Sequence, residues 1–398
     1  MLSFSMFFET TNRRVSKLVL AGTLIPSVFS EAGWAKHTCS NGKIANDKYA
    51  YINKRGQIVF RISSEAESEN FSDGLLKVKR ETKNDEPDSS YIDTEGKLVA
   101  DGFVRGGKFS EGFAEIGKYG KIGFIDKTGR VAIPHIFSDA LCFREGLAPV
   151  MMNKGFGFID RTGKIVIDPF FENATGFSEG LAAVQSQGKI GFIDKAGKWR
   201  IKPQFDYVDG FSDKLALVRD VQDEFYIDQD GRKVITVSEE SKKRPFEPWG
   251  VSGTGLSTGK SIFQGFSYRT YCSPCTFKEG LSPMYKDRKY GYINKSGEFV
   301  IPPKFQMAYP FVEGLANVCI DNKYGFIDKS GRFVVKPKFR KAEDFSEGVA
   351  AVAIAHNKWG FIDAAGKFAV KPKYMIVGPF HDGRARVQLN GFYDDQIR

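Results

Sequence analysis

The sequence predicts an all-β fold assembled from about nine copies of one unit of about 34 residues. Three observations predict it. An aromatic residue within a Gly-Phe-Ile-Asp core recurs at near-constant spacing, falling at Tyr51, Tyr91, Phe124, Phe158, Phe192, Tyr226, Tyr292, Phe326, Phe361 and Phe392. Four of these steps are 34 residues, two are 33 and 35, and the step from Tyr226 to Tyr292 is 66, close to two periods. A second landmark travels with the first: Phe-Ser-Glu-Gly-Leu-Ala-x-Val at Phe177 to Val184, with relatives beginning at Phe109, Phe143, Phe211, Phe277, Phe311 and Phe345. Finally, Phe contributes 36 and Gly 42 of 398 residues, an excess that a frequently turning repeat accounts for.

Each element of the unit has a physical reading. In Tyr324-Gly325-Phe326-Ile327-Asp328 side chains alternate, so Tyr324 and Phe326 share one sheet face and Ile327 takes the other. Asp328-Lys329-Ser330-Gly331 is a turn, with the Asp carboxylate placed to accept from the backbone two residues on and Gly accepting a positive φ. Phe333-Val334-Val335 returns as a second strand, and Pro337, which lacks an N–H, is expected to end the ladder. A Glu-Gly turn then leads into Leu315-Ala316-Asn317-Val318 or its equivalent, a third strand. The unit is therefore read as a three-stranded antiparallel meander. Its few apolar side chains cannot offset the entropy of ordering 34 residues, so units must stack to fold. An open, solenoid-like array is the preferred form. A propeller-like ring is the alternative, since the array opens on a unit lacking its first strand and closes with an extra one, Ala385-Arg386-Val387.

The fullest unit, Lys358-Trp359-Gly360-Phe361-Ile362-Asp363, resembles the bacterial WG repeat, named for its aromatic-Gly pair. Elsewhere Tyr290, Tyr324, Ile122, Ile190 or Phe156 stands in for the Trp. The resemblance spans roughly residues 48 to 398. It implies an all-β repeat array of a kind often exported and read as an interaction module, mostly without assigned activity.

Three regions flank or interrupt the array. Residues 1–35 read as a signal peptide or leader: Arg13, Arg14 and Lys17 precede an apolar run from Leu18 to Phe29, and Gly33-Trp34-Ala35 suits cleavage after Ala35. The run is too short to span a bilayer as a helix, and no other segment is long and apolar enough to do so. Export to the periplasm, envelope or exterior is expected, with membrane anchoring by an uncleaved leader as the alternative. Residues 36–47 are a linker. Within the array at 48–398, residues 236–276 break the period, either as a projecting insertion or as one decayed repeat.

That break holds the candidate binding residues Lys242, Lys243, Arg244, Trp249, Tyr268, Arg269 and Tyr271, because insertions in repeat proteins often sit on a binding face. It also holds Cys272-Ser273-Pro274-Cys275, read as a small disulfide in an exported chain. A redox pair is the lesser reading, since no helical pattern follows to lower a thiol pKa. Gly253 to Ser261 (GTGLSTGKS) misses phosphate-loop spacing by one residue, so no nucleotide is expected. The four His and five Cys show no metal-ligand spacing, and no cofactor is expected.

The period also turns single charges into rows. Asp126, Asp160, Asp194, Asp228, Asp328 and Asp363 form one; Glu111, Glu145, Glu179, Glu279, Glu313 and Glu347 form another. A catalytic carboxylate pair would occur at one place, so the Asp row is read as turn caps and the Glu row as turn residues or a solvated edge. Lys121, Lys154, Lys189, Lys289, Lys323 and Lys358 form a basic row, as do Lys127, Arg161, Lys195, Lys295 and Lys329. Edge protection explains these rows; with a net charge of +10, binding of an acidic glycan, an anionic surface or nucleic acid is the sharper alternative. The functional expectation is a non-catalytic scaffold that binds a protein partner, a cell-envelope component or another ligand. A polyanion binder is the alternative, and a thiol-redox enzyme using Cys272 and Cys275 comes last.

Overall fold

The computed structural model describes residues 49–62, 67–68, 70–80, 88–221, 223–237 and 276–389. The described residues form strands arranged in nine small antiparallel sheets, with no helix among them. Eight of the sheets have four strands and one has three.

The sheets are the blades of a closed ring, a nine-bladed propeller. Blade 1 is shared between the two ends of the array: Ile376–Val377 and Ala385–Gln388 pair with Tyr49–Ile52 and Ile58–Ile62 in a single sheet. Four residue pairs, Tyr49–Gln388 through Ile52–Ala385, seal the ring. Blades 2 to 9 follow in chain order at residues 67–103, 105–137, 139–171, 173–205, 207–236, 282–305, 307–339 and 341–374. The open array preferred from sequence thus gives way to the ring. Closure depends on how much each blade turns relative to the last, and residue periodicity does not encode that rotation.

Within a unit, two expectations need adjusting. The residues ahead of the landmark Phe add a short first strand, such as Asp139–Ala140, so most blades have four strands rather than three. Pro337 does not end the last strand: Phe333–Phe339 runs through it, the register slips, and Phe339 pairs again with Tyr324. The core glycine is required at this slip. A Cβ on Gly325 would lie 2.6 Å from the Val335 carbonyl oxygen and 2.7 Å from Pro337 N.

No blade owns a core. The buried apolar side chains form nine clusters, each spanning one joint between successive blades. Phe326 packs forward against Phe345 of blade 9, while its neighbour Ile327 packs backward with Phe305 and Phe311. This is the face alternation read from the sequence. At each joint the core aromatic meets the next landmark Phe, with centroids 4.8–5.3 Å apart. Nine such pairs explain most of the Phe excess. Blades 6 and 7, on either side of the break in the period, meet like any others: Tyr226 packs on Phe277, and Ser212 Oγ donates to the Phe277 carbonyl at 2.7 Å. They are direct neighbours.

Candidate functional site

The repeated polar residues are occupied in holding the ring. Each landmark turn places Glu or Asp and the next residue at positive φ, as in Glu145 (52°) and Gly146 (87°), the geometry of a two-residue primed hairpin turn. Glu is an unusual choice at the first position, where Asn or Asp is the ordinary one. Six turns carry Glu and three carry Asp, and in each the carboxylate reaches across the joint and accepts from the turn amide of the next blade. The links run from Asp73 to Gly112, Glu111 to Gly146, Glu145 to Gly180, Glu179 to Lys214, Asp213 to Gly280, Glu279 to Gly314, Glu313 to Gly348, Glu347 to Gly383 and Asp382 to Gly74. The N···O distances are 2.6–3.1 Å, and the last two links close the circuit through blade 1. At Glu111 burial raises the carboxyl pKa, but hydrogen bonds from the Arg161 guanidinium and the Gly146 and Glu145 amides outweigh it, and the net shift is downward.

These carboxylates also take up part of the hairpin-turn basic row. Arg161 pairs with Glu111 at 2.8 Å, Lys195 with Glu145 at 3.2 Å, and Lys329 with Glu279 at 3.0 Å. The Asp row caps its turns as read from sequence; Asp328 Oδ1 accepts from the Ser330 and Arg332 amides at 2.9 and 3.1 Å. The Ser330 hydroxyl adds a third bond, and together they hold the carboxyl at about 2.

Chemistry that is not repeated sits where units depart from one another. One such register lies on the second strand, beside the short first strand. In the third position of Leu-Ala-x-Val the ring carries Lys77, Glu115, Pro149, Ala183, Leu217, Pro283, Asn317, Ala351 and Arg386. At the joint of blades 8 and 9, the Asn317 amide donates to Asp344 at 2.6 Å, while Asn317 Oδ1 has no partner. Burial raises the Asp344 carboxyl to about 6 against the Lys278 charge and the Asn317 bond. Burial, then the Asp344 charge, raises Glu343 to about 7. At the joint of blades 3 and 4, Glu115 is raised to about 7 by burial, and its Oε2 is without a hydrogen bond. The nearby Cys142 thiol is pushed up by burial and by that carboxylate, which makes it a poor nucleophile at neutral pH.

The second register is the last strand of each blade. Its penultimate residue is Gln204, Lys304, Lys338 or Lys373 in blades 5, 7, 8 and 9, but Ile136 and Phe170 in blades 3 and 4. Lys304 and Lys338 each lie over the adjacent Phe ring at 5.1 Å, whereas Ile136 and Phe170 stand about three-fifths exposed (60% and 59%). Between these two blades opens a groove of about 870 Å³, lined among others by Lys121, Phe137, Lys154 and Ile165.

The WG containing repeat family matches residues 122–155, 156–189, 190–220, 290–324, 324–355 and 359–393, about half of the sequence. The chain belongs to the WG-repeat family. Each matched unit runs from the Gly-Phe-Ile-Asp strand of one blade into the Leu-Ala-x-Val strand of the next, on both sides of the period break. No match is found among curated proteins. Among solved structures, the chain is similar to BamB from Moraxella catarrhalis, at 11% identity over 87% of this chain and 98% of that one, with a TM-score of 0.37. It is similar to the dihydro-heme d1 dehydrogenase NirN at 12% identity over 84% and 76%, with a TM-score of 0.38. PorZ of Porphyromonas gingivalis follows at 12% identity over 70% of this WG-repeat chain and 40% of its own, with a TM-score of 0.28. Likenesses this distant carry nothing about ligand or activity.

Lys242, Lys243, Arg244, Trp249, Tyr268, Arg269, Tyr271, Cys272 and Cys275 lie outside the described residues, as do the leader and linker. Sequence reasoning passed over Ile136, Ile165, Phe170, Asn317, Glu343 and Asp344, which differ from the residues that several sister blades place in the same register. Aligning the units and reading the departures, rather than the shared residues, would have found them.

Proposed function

We propose that this WG-repeat ring is a non-catalytic binding scaffold that presents a rigid, extended surface to a protein partner, and that it acts outside the cytoplasm after export. The observation that supports a binding role is a division of labour among positions. Residues common to the units hold blade to blade through the carboxylate circuit and the aromatic pairs, while varying residues at the penultimate last-strand position, Ile136 and Phe170 among them, stand exposed. A polyanion-binding role has less support, because Arg161, Lys195 and Lys329 are paired with ring carboxylates. Salt at physiological strength would weaken what exposed charge remains.

The test is site-specific photo-crosslinking in the native host. A photoreactive residue is placed singly at last-strand positions such as Gln204 and Phe170, and at clasp positions such as Glu179. Discrete adducts confined to the varying positions support the scaffold reading; adducts from no position would defeat it. Export is checked separately, by the N-terminal mass of the mature chain, expected to begin near residue 36, and an intact N-terminus on a cytoplasmic protein would overturn it.

A further inference from the structure

The groove between blades 3 and 4 arises from three substitutions in one place. At three other joints an aromatic at the start of the last strand lies against the final aromatic of the preceding blade. Trp199 lies edge-on to Phe171 at 5.7 Å, Phe333 to Phe305 at 6.4 Å and Phe368 to Phe339 at 6.3 Å. In blade 4 that position is Ile165, a smaller side chain, and the groove opens beside it, over the buried ring of Phe137. Both flanking strands also lack the Lys that sister blades carry at the penultimate position. Val131–Phe137 and Ile165–Phe171 are the edge strands of their sheets, with no strand on their outer side. Lys on such an edge discourages pairing with another chain; Ile136 and Phe170 remove that protection and present apolar surface instead.

The charge of the groove narrows the occupant. Lys121 and Lys154 face it with Asp168 as the acidic member. Lys154 forms no salt bridge among the described residues, and Lys121 meets only the Ser138 hydroxyl, at 3.5 Å. A second copy of this face would oppose lysine to lysine.

We infer that this groove takes an extended segment of a partner protein that alternates large apolar side chains with acidic ones. The apolar side chains pack on the exposed Ile136 and Phe170, the carboxylates meet Lys121 and Lys154, and the segment runs along an open strand edge. This rests on the scaffold reading and gives it a place and a chemistry.

The probe is a fluorescein-labelled, end-blocked hexapeptide alternating Phe or Leu with Asp, titrated by fluorescence anisotropy against the full chain. A peptide with Lys in place of Asp is the control. Two variants copy residues that sister blades already hold, so the fold should tolerate them: Ile136→Lys with Phe170→Lys, and Ile165→Trp, which refills the groove as Trp199 does. Each should weaken the acidic peptide about tenfold or more, the loss expected when an apolar anchor site is removed, with a melting temperature no lower than that of the wild type. Lys154→Glu should weaken the acidic peptide and favour the Lys control. Equal binding of the two peptides by the wild-type chain, or wild-type affinity in both groove variants, overturns the inference. If the peptide fails while crosslinks appear at other blades, only the groove assignment falls. If the peptide binds and no cellular partner crosslinks anywhere, the scaffold reading falls and the groove assignment stands as a bare affinity.

Discussion

Replacing Glu145 tests whether the nine-fold carboxylate circuit holds the blades together. Its carboxylate accepts from the Gly180 amide at 3.0 Å and pairs with Lys195 at 3.2 Å, and its side chain is about one-third exposed (32%). A charge-assisted bond of this kind contributes ~1.5–3 kcal/mol when buried; partial exposure, which lets water replace the carboxylate, brings this to about 1–2 kcal/mol. The Lys195 pair adds only ~0.2–1 kcal/mol. Three variants separate the contributions. Glu145→Gln keeps the reach and loses the charge, so it should cost roughly half the bond, since neutral acceptors are about half as strong. Glu145→Ala loses the whole link yet keeps a side chain at a φ of 52°, and should cost the most. Glu145→Gly loses the link too, but relieves about 1 kcal/mol of left-handed strain, and should fall between Ala and wild type. For a ring of this size each kcal/mol corresponds to about 2 °C in the melting temperature, readable by calorimetry. Three variants all melting with the wild type would refute the circuit as a stabilising device. Ala no worse than Gly would refute the strain argument alone.

Three further outcomes follow from the same geometry. Glu111 is held below its ordinary pKa, so its stabilisation is complete above the unfolded value of about 4.3 and disappears as pH falls through the lower folded value. Glu111→Gln should therefore melt below wild type at pH 7 and converge with it near pH 3; a constant gap across that range would count against the linkage. Glu343 is the opposite case: with a folded value of about 7, it destabilises the ring progressively as pH rises from about 4 to 7, so Glu343→Gln should melt above wild type at pH 8 and match it near pH 4. Lys214 occupies the turn position where the other eight blades have Gly, at a φ of 66°. Lys214→Gly should raise the melting temperature modestly, by the ~1 kcal/mol of relieved strain less the extra entropy of a Gly in the unfolded chain; a lower melting temperature would show that the Lys side chain holds something.

Much of the fold was legible because it is local. Alternation in Tyr324-Gly325-Phe326-Ile327-Asp328 assigned each side chain to its joint, and the Asp-x-x-Gly turns closed as their residues required. What the pattern left open is non-local. The same Glu suits a solvated turn as well as a reach into the next blade, and only the position of Gly180 relative to Glu145 decides between them. The ring has the same origin, since Tyr49–Ile52 and Ala385–Gln388 meet only after eight intervening blades have set the direction. The candidate surfaces were hidden for a different reason. Ile136, Ile165 and Phe170 are unremarkable apolar residues in a strand, and become informative only when set against Lys304, Lys338 and Trp199 in the same register.

That comparison points to how a WG-repeat ring acquires a binding face. The aromatic pairs and the carboxylate clasp are supplied at every joint, so the penultimate residue of a last strand is free to change without loosening its blade. Lys at that position, lying over its Phe ring, keeps an open edge solvated. Exchanging it for Ile136 or Phe170 removes that screen at two adjacent blades, and Ile165 puts a smaller side chain between them than Trp199, Phe333 or Phe368 does at their joints. Three side chains thereby turn a self-protecting joint into an apolar groove bordered by Lys121 and Lys154, with the joint's own core of Phe124, Phe143 and Ile133 left intact. Refilling the groove with Ile165→Trp should therefore weaken peptide binding about tenfold or more and raise the melting temperature slightly through added apolar burial. A fall in stability on refilling would mean that the groove is packed by strain, not left open for a ligand.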